Sequence, residues 1–297
     1  MKTGIIGVLN NPATSLNSHS AGMVNIVSKL FKAEVLTERD NWDEFERLII
    51  YHGVNFKEGT FNVIGGINEE VMSRGSKLAS FNGKVYSLDG FQLNEFSRKR
   101  KLLIYDNFNT FEKINLPKRE NLVIGDSHSL SVWPDETYMI SRNDGKTLHG
   151  FLKLNQDLSE YKKIIFYFGN IDIRFHLARQ KDPVQATKDL FNRYCEYASK
   201  YDSSLTQLLP IESESRKIPK SGQYKGENFF GSIELRKELR LEANSIMFES
   251  GIEFLEWPST FLNPEGNLSF DIMEPKQSVH IRPMFYMNAM RKQLTLF

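Results

Sequence analysis

Short apolar runs alternate with stripes of helical spacing along most of this chain. Residues 3–9 form an apolar run of buried-strand type, closed by the polar turn at residues 10–14. Between residues 18 and 32, Met23, Ile26, Val27, Leu30 and Phe31 recur at three- and four-residue intervals, which predicts an amphipathic helix. Residues 34–37, 48–53, 62–66 and 84–88 are further strand candidates. Strands alternating with helical stripes predict a small three-layer α/β unit with parallel strands, Rossmann-like in plan.

The rhythm breaks between residues 95 and 121, where Arg98-Lys99-Arg100-Lys101 and Pro117-Lys118-Arg119 fall. This break divides the chain into an N-terminal accessory domain, 1–115, and a second domain, 116–297. In the second, strand candidates at 122–126, 137–141, 163–169, 205–211 and 252–257 alternate with helical windows at 146–154, 183–200, 233–250 and 282–294. Five strands joined by crossover helices describe a doubly wound parallel sheet of flavodoxin-like type. The gap from 213 to 230, rich in Lys, Ser and Gly, has the length of a lid or substrate-contacting loop.

Composition narrows the picture only at its edges. A net charge of +1 over 297 residues argues against a chain whose whole surface is a nucleic-acid footprint, although the Arg98–Lys101 run leaves a local polyanion contact open. The single cysteine, Cys195, cannot form an internal disulfide and fits a reducing, cytoplasmic setting. No run approaches the roughly 20 apolar residues that span a bilayer. No histidine or cysteine spacing suggests a metal, and no Gly-x-Gly-x-x-Gly follows a strand, so neither a metal nor a cofactor is expected. The oligomeric state is not legible.

The candidate chemistry lies in Asn121-Leu122-Val123-Ile124-Gly125-Asp126-Ser127-His128-Ser129. An apolar strand ending in Gly-Asp-Ser delivers a serine to the C-terminal edge of a sheet, where open α/β folds bind ligands. Such a serine is a nucleophile, a turn residue or a helix N-cap. Nucleophilic use requires a base, and histidine alone has an unperturbed pKa near neutrality. Of the six histidines, His280 follows the fifth strand in a segment that returns to the edge beside the first strand, so topology nominates it.

Residues 118–297 resemble the SGNH, or GDSL, hydrolase family, whose members carry a Ser–His or Ser–His–Asp site on a flavodoxin-like sheet. Gly125-Asp126-Ser127-His128-Ser129 matches the first block of that family, Gly145 falls where its oxyanion glycine stands, and Phe168-Gly169-Asn170-Ile171-Asp172 ends the third strand where the family has Gly-x-Asn-Asp. The resemblance implies Ser127 as nucleophile, His280 as base, and Gly145 and Asn170 as oxyanion donors. Two departures stand out. Ile171 occupies the position of the family's asparagine and Asn170 precedes it by one residue, which in a strand would turn the amide to the other face. Gln277 occupies the usual acid position, leaving Glu274, with Asp271 as alternative, to supply the carboxylate. Asp126, His128, Asp172 and Arg174 are candidate substrate-binding groups; the last two could instead form an ion pair, and His128 could pack beneath the turn.

The expected activity is cleavage of an ester, an acyl group on a glycan or small metabolite, through an acyl-serine. The alternatives are an acyl- or glycosyl-type transferase acting on a sugar or modified nucleic acid, and a non-catalytic binding module on the same fold. The stretch from Met1 to Tyr51 also has a pattern similar to the N-terminal half of phage DNA glucosyltransferases, a pattern that parallel α/β units share widely.

Overall fold

The computed structural model describes residues 1–7, 19–36, 40–51, 81–88, 112–143, 145–212, 226, 229–274 and 279–288. The strand expected at 62–66, the basic run 98–101, and nearly all of the 213–230 loop lie outside these residues. Contacts divide the chain into two units, Met1–Lys118 and Arg119–Phe297.

In the first unit, strands β1 (Thr3–Gly7), β2 (Glu34–Leu36), β3 (Arg47–Tyr51), β4 (Lys84–Leu88) and β5 (Glu112–Ile114) pair in the order β2-β1-β3-β4-β5, all parallel. Helix α1 (His19–Phe31) packs on β1 and β2 through the expected stripe, with Met23, Ile26, Val27 and Leu30 buried. Strand β5 corrects the reading of residues 95–121 as a connecting stretch. Only three residues long and containing one apolar side chain, it joins the sheet edge through backbone pairing with Tyr86–Leu88, which leaves no mark in the hydrophobic pattern.

The second unit contains β6 (Asn121–Gly125), β7 (Tyr138–Arg142), β8 (Lys163–Tyr167), β9 (Ser203–Thr206) and β10 (Glu253–Leu255), in the order β10-β9-β8-β6-β7, again all parallel. This is the flavodoxin-like order, with its switch point between β6 and β8, where the chain turns from one side of the sheet to the other. Helices α2 (Leu148–Leu154), α3 (Pro183–Ala198) and α4 (Ile233–Glu249) pack in succession, α2 on α3 and α3 on α4. Leu122 and Ile124 of β6 and Ile164 and Phe166 of β8 share a buried cluster with them. The alternate residues Val123, Ile165 and Tyr167 are buried as well. Burial on both faces explains why these strands read as unbroken apolar runs. A short 3-10 turn, Ser129–Val132, packs on β6, β7 and β8.

Two expectations about elements are corrected. The helix expected over 282–294 does not begin at its expected start, where Pro283–Phe285 is a single 3-10 turn; Met287 and Asn288 are helical, and residues beyond 288 lie outside the description. Arg282 is extended, as the residue before a proline tends to be, and its amide donates to Ile272 O at 2.9 Å. The third strand was expected to reach Gly169 but leaves the ladder after Tyr167, and the chain turns helical from Asn170. No described helix is long and apolar enough to cross a membrane.

Gly125 closes β6 beneath the Asp-Ser turn. A Cβ there would stand 2.3 Å from Tyr167 O and 2.9 Å from Ser129 Cβ. A backbone carbonyl cannot yield as a side chain can. Gly125→Ala is therefore expected to destabilise the protein by ~1–3 kcal/mol through overpacking, read as a lower denaturation midpoint. A midpoint equal to that of the parent protein would contradict this close approach.

Candidate active site

Ser127 stands two residues beyond the end of β6, in a turn its neighbours hold shut. Asp126 O accepts from the Ser129 amide at 3.1 Å and from Ser129 Oγ at 2.8 Å, while Asp126 Oδ1 accepts from the His128 amide at 2.8 Å. The His128 carbonyl accepts from the amide and hydroxyl of Ser131, at 2.9 and 2.6 Å. With every neighbour engaged locally, the half-buried Ser127 directs its hydroxyl across the chain. Its Oγ lies 2.8 Å from His280 Nε2.

His280 arrives on a small antiparallel pairing between residues 272–274 and 280–282. The Glu274 amide donates to His280 O at 2.9 Å, Met273 bridges Ile281, and Arg282 Nε donates to Met273 O at 2.7 Å. In such a pairing, residues directly opposite each other carry adjacent side chains. Glu274 therefore faces the imidazole, with Oε2 3.6 Å from Nδ1. That separation is an ion-pair distance rather than a hydrogen bond. Glu274 is buried, whereas Asp271, the other candidate acid, is exposed. Gln277 lies outside the described residues. Burial pulls the His280 pKa below its ordinary value; Glu274 opposes this, while the charges of His128 and Arg142 reinforce it. Arg142, at the end of β7 and in register with Gly125, was missed in the sequence; its strand-end position was the available signal.

Asp126 was a candidate to meet substrate and His128 either to meet it or to pack beneath the turn; both are buried and engage each other, with Asp126 Oδ1 2.9 Å from His128 Nδ1. On its other side, His128 Nε2 lies 3.2 Å from Val279 O, and its ring centroid is 4.8 Å from that of His280. These two residues are part of the site's support rather than its surface.

Asp172 and Arg174 are likewise corrected. They do not pair with each other. Asp172 Oδ2 accepts from the Leu148 amide at 2.7 Å and Oδ1 from the His149 amide at 3.4 Å, so this carboxylate caps the start of α2. Arg174 is held by Glu212, its Nε donating to Oε1 at 2.7 Å and to Oε2 at 2.9 Å, with a further contact from Nη2 to Oε1. Both residues are 2% exposed and turned inward, away from any ligand. Glu212 was not foreseen; a lone carboxylate directly after the apolar run 208–211 was the signal.

The two expected oxyanion residues lie at the same sheet edge as Ser127. Gly145 follows β7 at φ +72°, a conformation that favours glycine, and a Cβ there would meet nothing within 4 Å. Asn170 opens the helical turn after β8, so the argument from strand alternation, which would have turned its amide away, does not apply. Its Oδ1 accepts from the Leu209 amide at 3.2 Å, while its buried Nδ2 makes no hydrogen bond among the described residues. Such a donor is uncommon in a folded protein. No three His, Cys, Asp or Glu side chains converge on a metal-sized site among the described residues.

No family model matches the chain, and no curated protein matches it. Among solved structures, a candidate platelet activating factor from Streptococcus pneumonia is 16% identical with a TM-score of 0.42, over 61% of this chain and 85% of that one. A candidate lipolytic protein of the G-D-S-L family from Desulfitobacterium hafniense DCB-2 is 15% identical with a TM-score of 0.38, over 60% of this chain and 100% of that one. Likeness this distant carries no weight for the chemistry, which rests on the geometry alone.

Burial drives the Asp172 carboxyl up to about 7, outweighing the two amides that favour its anion. Its folded pKa thus exceeds its unfolded one, near 4. Between those values the unfolded chain binds fewer protons, so stability falls as pH rises from about 4 to 7, by up to ~4 kcal/mol. Asp172→Asn keeps one acceptor for the Leu148 amide and cannot titrate. It is expected to flatten denaturant-midpoint profiles across that window. Equal slopes in parent and variant would contradict the assignment.

Proposed function

We propose that this protein is a serine hydrolase that cleaves an ester through an acyl-serine intermediate. The observation that carries the reading is the 2.8 Å approach of Ser127 Oγ to His280 Nε2, with Glu274 on the opposite ring nitrogen. With the ring proton on Nδ1, facing Glu274, the Nε2 lone pair accepts the serine proton. Ser127 Oγ attacks the ester carbonyl carbon while its proton passes to His280 Nε2. The buried Glu274 carboxylate stabilises the imidazolium that forms. The backbone amides of Ser127 and Gly145 are the proposed donors to the developing oxyanion, with Asn170, 1% exposed, behind them. Collapse of the tetrahedral species breaks the ester C–O bond, and His280 returns its proton to the leaving alcohol. Water then repeats the sequence on the acyl-serine and releases the acid.

The substrate class proposed is an acyl ester on a glycan or small metabolite. Hydrolysis of p-nitrophenyl acetate provides a first assay. Ser127→Ala is expected to lower kcat/KM at least ~10³-fold with the fold retained, as loss of a triad nucleophile does. Retention of most of the activity would sink the proposal.

The pH profile tests the base and its acid separately. His280 must be neutral to accept a proton, and its pKa is held below the ordinary histidine value. The rate is therefore expected to rise with pH through a midpoint below ~6.5 and then level off. Glu274→Gln removes the anion that favours the imidazolium. It is expected to move that midpoint lower still and to reduce the plateau ~10²-fold or more. A midpoint that moves upward would assign the carboxylate a different role.

A further inference from the structure

The hairpin that carries His280 touches the nucleophile turn at a second point, and this contact has chemistry of its own. His128 lies between two oxygen acceptors, Asp126 Oδ1 at 2.9 Å from Nδ1 and Val279 O at 3.2 Å from Nε2. Neutral imidazole has one N–H and can answer only one of them; imidazolium answers both. Asp126 is 0% exposed and His128 4%, so water cannot substitute for either partner. Among the described residues, His128 is the side chain in hydrogen-bond contact with the Asp126 carboxyl group. Val279 immediately precedes His280, so this bond grips the backbone of the general base itself.

Resting on the serine-hydrolase reading, we propose that His128 is a positioning residue. Bridging Asp126 and Val279 O, it fixes the His280 ring against Ser127 and opposes premature protonation of that ring. The ring centroids stand 4.8 Å apart, close enough for one cation to oppose another. Among the described residues, these groups face the pair. Asp126 faces His128 from its own turn, Tyr167 approaches edge-on from β8, and His280 faces it from the hairpin. His280 is met by Glu274 on its own hairpin, by Ser127 and His128 on the turn, and by the charge of Arg142 from β7. Glu274 and His128 thus pull the base in opposite directions.

The test is the pH dependence of inactivation by a fluorophosphonate, which needs no knowledge of the substrate. In this step Ser127 Oγ bonds to phosphorus, the P–F bond breaks, fluoride departs, and the hydroxyl proton goes to His280 Nε2. For His128→Gln the inactivation rate at the plateau is expected to fall ~10-fold or more, because the base is no longer held in line. Its midpoint is expected to move to higher pH by roughly one unit, the reverse of the shift expected for Glu274→Gln. A lower plateau with an unmoved midpoint would reduce His128 to a packing role and overturn the proposal, as would a profile identical to that of the parent. Thermal melting checks that the variant folds. Asp126→Asn, which keeps an acceptor for the His128 amide but removes the anion, is the second variant and should shift the midpoint in the same direction. If the parent protein itself is not labelled at Ser127, the serine-hydrolase reading and this one fail together. Labelling of the parent with unaltered variant profiles defeats this one alone.

Discussion

The hydrogen bond from the Glu274 amide to the His280 carbonyl, 2.9 Å long, sets the geometry of the whole site. It belongs to a pairing only three residues deep on each side, continued through Met273 and Ile281 to Arg282 and Ile272. Antiparallel pairing places opposite side chains side by side. A carboxylate and an imidazole six positions apart in sequence thereby meet without a helix or a long strand to carry them. The parallel sheet does the complementary work. It ends β6 at a glycine pressed against Tyr167 O and leaves Ser127 facing the hairpin. Without the pairing, the serine would be an ordinary turn residue.

Around that meeting point the protein buries several carboxylates and treats each differently. Glu212 lies against the fork of Arg174, which makes the hydrogen bonds a desolvated anion requires. Asp126 is bound twice by His128. Asp172 has two backbone amides and, among the described residues, no cation in hydrogen-bond contact, and desolvation lifts its pKa to about 7. All three are 2% exposed or less, so none can present its carboxylate to a ligand. They fix the loops around the strand ends: Asp126 the serine turn, Asp172 the start of the helix after Gly145, and Glu212 the Arg174 side chain whose Nη1 reaches Asn170 O at 2.9 Å. Charge at this edge is spent on holding backbone, and the half-buried serine is left as the reactive group.

Strands β6 and β8 of the second unit were legible because burial on both faces makes them apolar runs, and its helices because their stripes keep helical spacing; β9, expected at 205–211, lies at Ser203–Thr206, where buried hydroxyl side chains hide it. Ser127 and His280 were legible because a strand end and a chain return follow from topology. Glu274 could be named only as one of two acids, since a three-residue pairing with Met273, Ile281 and Arg282 leaves no periodic trace. The packed position of His128 was one of two readings, while the inward partners of Asp126, Asp172 and Arg174 were not legible. Polar residues at a strand end look alike in sequence whether they face a ligand or a neighbouring amide, and only burial separates the two cases. Asn170 was misjudged for a related reason: alternation was applied one turn beyond the point where the strand gives way to helix.

The central claim is that Ser127, His280 and the edge of the sheet form one reactive site. A crystal structure of the protein after reaction with a fluorophosphonate tests it most directly. The expected result is phosphorus bonded to Ser127 Oγ, with His280 Nε2 beside the adduct. The phosphonyl oxygen should lie within about 3 Å of the Ser127 and Gly145 amides. An adduct on another residue, or an oxygen turned away from those amides with His280 withdrawn, would contradict the account.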